Sequence, residues 1–384
     1  MPDFERKLTY IFSILVLMLL PLVFMPAISI SSAVDYINFE FLDKSNMQLA
    51  LNTIDSRIKS LSADPENQLV MKLEIRDMDG YPVSGAGFRI SSADEGAVIS
   101  PSSGRTGSDG SCLVTYRPSI QEASAYLNGK AKTTITAYIP HTSVKDTLSF
   151  ELVRIPVVFL HGYKAPSTIF DSFAGYLESK GFSTVSLDYD SDKGVAFGAA
   201  QLGELLEQEK AAYLEKGIQV KRFDLIGHSM GGLVARYYTG SQDYMHRNDV
   251  EKIIFVSVPQ NGSSLAALGL KYYSDRGIFD LIPDSDLFTN ALPNMRNKGL
   301  NDSIQAGSIL GQYDEVVSAE SASLDEWGIR TELFNVGENN FTVDKLLSGK
   351  IAEAANHKAV LYNKKIFKRV EEMLTTQLAF PIKK

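Results

Sequence analysis

The chain has 384 residues, 44% hydrophobic and 22% charged, the composition of a folded protein long enough for two domains. With 46 acidic against 38 basic side chains its net charge is −8 and no basic cluster stands out, which excludes nucleic acid as a partner. The single cysteine, Cys112, rules out an intrachain disulfide and cysteine-paired zinc, and is read as a small core residue.

In chain order, the first feature is a charge-free run from Leu8 to Val34, flanked by Arg6 and Lys7. "IFSILVLMLL" has the length of a signal-peptide core, and Ser31-Ser32-Ala33 offers a cleavage site. The whole run also reaches bilayer length, although Pro21 and Pro26 oppose one straight helix. Residues 1–33 are therefore read as a signal peptide or a membrane anchor. Either places the protein outside the cytoplasm, secreted or membrane-associated through its N-terminus.

Residues 34–67 read as a connector. Met47, Leu51, Ile54, Ile58 and Leu61 fall at helical spacing, while "IKSLSADPENQ" is an alternative first strand. From about 68 the period changes to two. Met71, Leu73 and Ile75 alternate with Lys72, Glu74 and Arg76, and Cys112, Val114 and Tyr116 repeat the pattern after the turn "GSDGS". Short strands between Gly, Asp and Pro turns predict a small all-β sandwich over 68–153.

At Arg154 the rhythm changes again. "RIPVVFL" is a strand with no wet face. Helical patterns such as "IFDSFAGYLESKG" then alternate with short apolar runs such as "FSTVSLDY", "RFDLIG" and "VEKIIFVSVP". This predicts a doubly wound, mostly parallel sheet over 154–384. The stretch after "KIIFVSVP" is too long for an ordinary connection and rich in Leu, Ile, Phe and Tyr; about 263–302 is read as a cap over the site.

Between the strand "FDLI" and the helix "GLVARYY" stands Gly227-His228-Ser229-Met230-Gly231, a G-x-S-x-G. A serine on a sharp strand-to-helix turn is lifted above the sheet, and the flanking glycines are needed because a Cβ would collide with the neighbouring strand and helix. Ser229 is thus the candidate nucleophile, and its hydroxyl needs a base. Of five histidines, two follow it. His246 lies near the end of the elbow helix and reads as a surface residue. His357 precedes the final helix with its stripe Ile366, Val370 and Leu374, and is placed in the loop after the strand "TELFNV". The acid belongs between them: Asp314 follows the apolar run "SIL", with Glu315 an adjacent competitor and Asp284 and Asp302 weaker ones. The oxyanion hole is assigned to the N–H groups of Met230 and of Tyr163, the latter in "VVFLHGYKAP". His161 and His228 are read as supporting groups rather than bases.

Two resemblances rest on these motifs. "LEIRDMDGYPVSGAGFRISS", "GRTGSDGSCLVTYRP" and "KTTITAYI" resemble the bacterial immunoglobulin-like repeats of invasin and intimin type. That implies a spacer or a platform contacting the cell envelope or surface ligands. "VVFLHGY", "LIGHSMGGLVAR", "VSVPQNGSS", "DLIPDSDLF" and "GQYDEVVSAESA" resemble the bacterial α/β-hydrolase lipases, including the GPI-inositol-deacylase-like branch. The resemblance implies an α/β-hydrolase fold and Ser229, Asp314 and His357 as a triad acting on carboxylic esters, lipid acyl esters foremost. It departs from the family where Lys164 and Ala165 replace a second Gly-rich step after His161-Gly162. Some lipases of this group bind calcium, but no ligand set stands out, and the chemistry needs no cofactor. A surface binding protein with a repurposed hydrolase domain, or an acyltransferase, are the alternatives.

Overall fold

The computed structural model describes residues 46–120, 125–126, 129–338 and 355–384. The leader or anchor at 1–33 and the start of the connector lie outside them. Among the described residues no helix is long and apolar enough to cross a membrane.

The strands, in chain order, are β1 (Met47–Thr53), β2 (Ser60–Ser62), β3 (Leu69–Asp77), β4 (Gly87–Ser92), β5 (Val98–Ser100), β6 (Ser103–Arg105), β7 (Ser111–Arg117), β8 (Lys130–Tyr138), β9 (Lys145–Val153), β10 (Val157–Leu160), β11 (Thr184–Leu187), β12 (Ile218–Gln219), β13 (Phe223–His228), β14 (Val250–Val256), β15 (Gln305–Gly311) and β16 (Thr331–Phe334). The helices are α1 (Asp171–Ser179), α2 (Val195–Glu215), α3 (Met230–Gly240), α4 (Tyr244–Arg247), α5 (Ser264–Gly269), α6 (Arg276–Asp280), α7 (Ala319–Ala322), α8 (Ala355–Ala359) and α9 (Lys364–Thr375).

Two sheets, ordered β1-β3-β7-β5 and β12-β2-β9-β8-β4-β6, enclose one core. Alternate residues of β3 (Met71, Leu73, Ile75) and β8 (Ala131, Ile135, Ala137) meet inside it. The pairings β1–β3, β3–β7, β4–β8 and β8–β9 are antiparallel. Cys112 is only partly buried at the edge of this core.

The helical reading of Met47 to Leu61 is corrected. Met47 and Leu51 lie on β1, paired residue for residue with β3, and Leu61 lies on β2. Residues four apart share a face in a strand as well as in a helix, so spacing alone did not separate the two. β3 takes β1 on one side and β7 on the other.

The third sheet, β11-β10-β13-β14-β15-β16, is parallel throughout. Its central strands β10, β13 and β14 are buried on both faces. Val158, Leu160, Leu225 and Phe255 pack on α2 and α3, while Val157, Phe159, Ile226 and Ile254 pack on α1 and α9. This is an α/β-hydrolase-like fold.

The β-rich region docks on the edge of this sheet where its strands begin. β12 pairs with β2, and the buried Asp64 receives two 3.0 Å hydrogen bonds from Arg222 Nε, just ahead of β13. Arg222 also pairs with Glu251 on β14. The Arg154 guanidinium lies 4.1 Å from the Tyr126 ring and 4.7 Å from Phe182.

Candidate active site

β13 ends at His228 and α3 begins at Met230, so the turn is a single residue wide. Ser229 occupies it at φ 54°, ψ −127°, a strained conformation that a non-glycine residue rarely adopts. A Cβ on Gly231 would come within 2.1 Å of the Leu160 carbonyl oxygen, and one on Gly227 within 2.5 Å of the Gly232 Cα. The elbow is therefore closed to any side chain at these two positions. Met230, at the first position of the helix, has an N–H with no intrahelical partner.

The loop after β10 lies directly over the serine: a Cβ on Gly162 would sit 2.9 Å from Ser229 Cβ. His161 folds this loop. Its Nδ1–H donates to the Gly162 carbonyl (2.8 Å), its Nε2 accepts from the Tyr189 N–H (3.2 Å), and its ring stacks on Tyr189 at 4.3 Å. Burial pushes its pKa down. Beyond Tyr163 the chain passes through a positive φ (51°) at Lys164, whose N–H donates to Ser191 Oγ.

His357 lies on α8, not in a loop after the last strand as the sequence reading placed it. Its Nδ1–H donates to both carboxylate oxygens of Asp314, at 2.9 and 3.0 Å. This bond fixes the tautomer and leaves Nε2 with its lone pair. Asp314 Oδ1 is itself fixed by the N–H groups of Val316 and Val317, each at 2.9 Å. Burial raises the Asp314 pKa, but the His357 ring and the Val317 N–H outweigh it and hold the carboxyl below its usual range.

Two further contacts reach His357: that of Glu315 was not foreseen in the sequence, and His228 was read only as a supporting group without a partner named. Glu315, weighed only as a rival acid, accepts from the main-chain N–H of Asn356 (3.1 Å) and of His357 (3.0 Å) and does not touch the ring. His228 donates Nε2–H to the His357 carbonyl (3.1 Å), its ring 4.6 Å away. Burial, then the neighbouring His357, hold the His228 pKa down to about 3. His246 is exposed on α4. Asp302 is bound to Arg296 and Asp284 is exposed, while the His357 ring is bound by Asp314.

Ser229 and His357 line one pocket, together with Gly162, Tyr163, Lys164, Ile169 and His228. The segment 263–302 supplies Leu265, Ala266, Tyr273, Ile278 and Leu281 to its wall. Asp275 ties this segment to the loop over the serine. It caps α6 through the Ile278 N–H (3.0 Å), accepts from Tyr163 Oη (2.7 Å) and pairs with Lys164 (3.2 Å).

A family model described as PGAP1-like alpha/beta domain matches residues 151–376. The chain belongs to this family. The match takes in Ser229, Asp314 and His357 and begins near the end of β9. No curated protein matches the chain in sequence. Among solved structures, the PGAP1-like chain is similar to the mature form of the Bacillus licheniformis lipase BlEst2, at 16% identity and a TM-score of 0.43, covering 58% of this chain and 92% of that one. It is also similar to the phospholipase PlaB from Legionella pneumophila (21%, TM-score 0.34, 42% of this chain and 38% of that one). A third likeness is to the D0-D1 domain of Intimin (16%, TM-score 0.23, 29% and 51%).

Proposed function

We propose that this PGAP1-like chain is an exported serine hydrolase that cleaves carboxylic esters with an apolar acyl group. The observation that carries the reading is Ser229. A serine in a strained elbow, in one pocket with a histidine whose far nitrogen is held by a buried carboxylate, is arranged for nucleophilic attack. In this mechanism Ser229 Oγ attacks the ester carbonyl while His357 Nε2 takes the hydroxyl proton. The N–H groups of Met230 and Tyr163 stabilise the oxyanion. His357 passes the proton to the departing alkoxide, which leaves as the alcohol. Water, deprotonated by the same imidazole, then releases the acid from the acyl-enzyme. Asp314 stabilises the imidazolium in both halves. The apolar wall supplied by residues 263–302 supports an acyl chain as the group bound. We read the charge-free run 8–34 as the export signal or anchor, and the β-rich region as an Ig-like spacer.

The test is labelling with a fluorophosphonate, followed by a hydrolysis screen on p-nitrophenyl esters of graded chain length, phospholipids and peptides. Wild type should be labelled and Ser229→Ala should not. Ser229→Ala and His357→Ala should each lower kcat by roughly 10⁴-fold or more, because such residues act as a unit. Near wild-type turnover by either variant would remove the mechanism.

A further inference from the structure

We propose that Glu315 is a positioning residue for His357, holding its main chain while the adjacent Asp314 holds its ring; this rests on the reading of His357 as the base. Asp314 and Glu315 are consecutive, yet they act on different parts of one histidine. Asp314 Oδ1 is pinned by the N–H groups of its own turn, so its carboxylate meets Nδ1 in one orientation. Glu315 points the other way, and its two oxygens take the N–H of Asn356 and the N–H of His357, one each. Both are main-chain N–H groups of α8, and a hydrogen bond to an ionised carboxylate is shorter and stronger than one to a neutral acceptor.

The clamp is completed from two other sides. The Asn356 side chain accepts from the Glu338 N–H (2.9 Å) and donates to the Glu338 carbonyl (3.1 Å). His228, next to the serine, donates to the His357 carbonyl. The peptide units on both sides of His357 are thus fixed, and Asp314 sets what freedom remains in the side chain. An imidazole that moves a proton from Ser229 must be placed to well under 1 Å. Two backbone hydrogen bonds to a charged carboxylate, 41 and 42 positions away in sequence, are a means of placing it.

A plain helix cap would affect folding stability and leave turnover alone. A positioning role lowers kcat and spares substrate binding. Glu315→Ala and Glu315→Gln are compared with wild type in the full chain, for kcat and KM on p-nitrophenyl butyrate, the rate of fluorophosphonate labelling, and the melting temperature. Glu315→Ala should lower kcat and the labelling rate by roughly 30- to 100-fold, the effect of a misplacement of about 1 Å, with KM within about twofold. Glu315→Gln keeps one carbonyl acceptor and should recover part of that loss. In a Ser229→Ala background, the Nδ1 proton shared by His357 and Asp314 should give a sharp low-field NMR signal that broadens in Glu315→Ala. A lower melting temperature with kcat and labelling unchanged would overturn the proposal and leave Glu315 a cap. If Glu315→Ala fails to fold, the nearly isosteric Glu315→Gln decides by the same comparison. Wild type that resists the probe would retire the reading of Ser229 itself. A labelled wild type with equally fast Glu315 variants would retire only the role of Glu315.

Discussion

Asp224 sits on β13, five residues before the nucleophile, with 1% of its surface exposed and Oδ1 without a partner among the described residues. Lys252, its neighbour in register on β14, does not neutralise it by direct contact. That ammonium donates instead to the carbonyls of Met373, Leu374 and Thr376 at the end of α9, where a cation suits the helix terminus. Burial therefore pushes the Asp224 carboxyl up to about 8. The unfolded carboxyl titrates near 3.9. Between these values the unfolded state gives up its proton and the native state keeps it, so stability falls as pH rises through this window. Asp224→Asn should remove that slope: its melting temperature should gain on wild type between pH 5 and pH 8. An equal gap at both pH values would sink the argument. Asp314 works in the opposite direction. Its folded pKa is lowered, so its contribution is present above about pH 4 and is lost as pH falls through the folded value. The candidate site was unevenly legible. Ser229 was readable because an elbow is written in five consecutive residues between a strand and a helix. The contact of Glu315 with Asn356 and His357 was not, because nothing local in "YDEV" tells a carboxylate aimed at a ring from one aimed at a backbone some forty residues on.

At the scale of elements, the segment 263–302 has a double character. Leu287 and Leu292 are buried in the main core, Ala266, Ile278 and Leu281 belong to that core and also line the pocket, and Leu268, Tyr272 and Phe279 are exposed. The stretch read as a cap therefore contributes to the main core as well as to the pocket wall. Composition does not say which apolar residue meets a core and which meets a cavity. Burial of acyl methylenes against this wall is worth about 0.8 kcal/mol each, close to fourfold in affinity per carbon. kcat/KM should therefore rise from acetyl to medium-length chains; a steady fall beyond butyryl, on monomeric substrates, would indicate a short-chain esterase. Asp275 joins α6 to Tyr163 and Lys164, so Asp275→Ala should free α6 and the pocket wall beside it from the loop above the serine. KM for a medium-chain ester should rise roughly tenfold, the scale of one hydrogen bond to a charged group, with a smaller change for acetyl. Equal effects on both esters would mean that Asp275 holds the loop and not the acyl-binding wall. The strand β10 was legible as an unbroken apolar run, and β13 and β14 as mostly apolar runs broken near their starts by Asp224 and by Glu251 and Lys252. β1 was not, since its pairing with β3 lies outside its own sequence.

At the scale of the molecule, the β-rich region and the hydrolase-like domain share a sheet edge and a buried ion network. Removing Asp64 takes a charged hydrogen-bond partner from the buried Arg222 and leaves it Glu251 alone, at a cost of about 2 kcal/mol. Asp64→Ala should therefore lower the urea midpoint of unfolding, although Asp64 is on the far side of the sheet from Ser229. Fluorophosphonate labelling of the folded variant should keep its wild-type rate; slowed labelling would show that docking is transmitted to the site. A chain starting at residue 154 should label as well, but at a lower melting temperature, because Arg222 loses Asp64 and β12 loses β2. The docking also sets a direction. β13 carries the chain from Arg222 at the docked edge to Ser229 at the pocket, roughly 20 Å at 3.3 Å per residue. The β-rich region thus joins the hydrolase-like sheet at the end of β13 opposite Ser229, and none of the residues lining the pocket comes from it, so a partner held by that region would meet the sheet from behind and not through the mouth of the pocket.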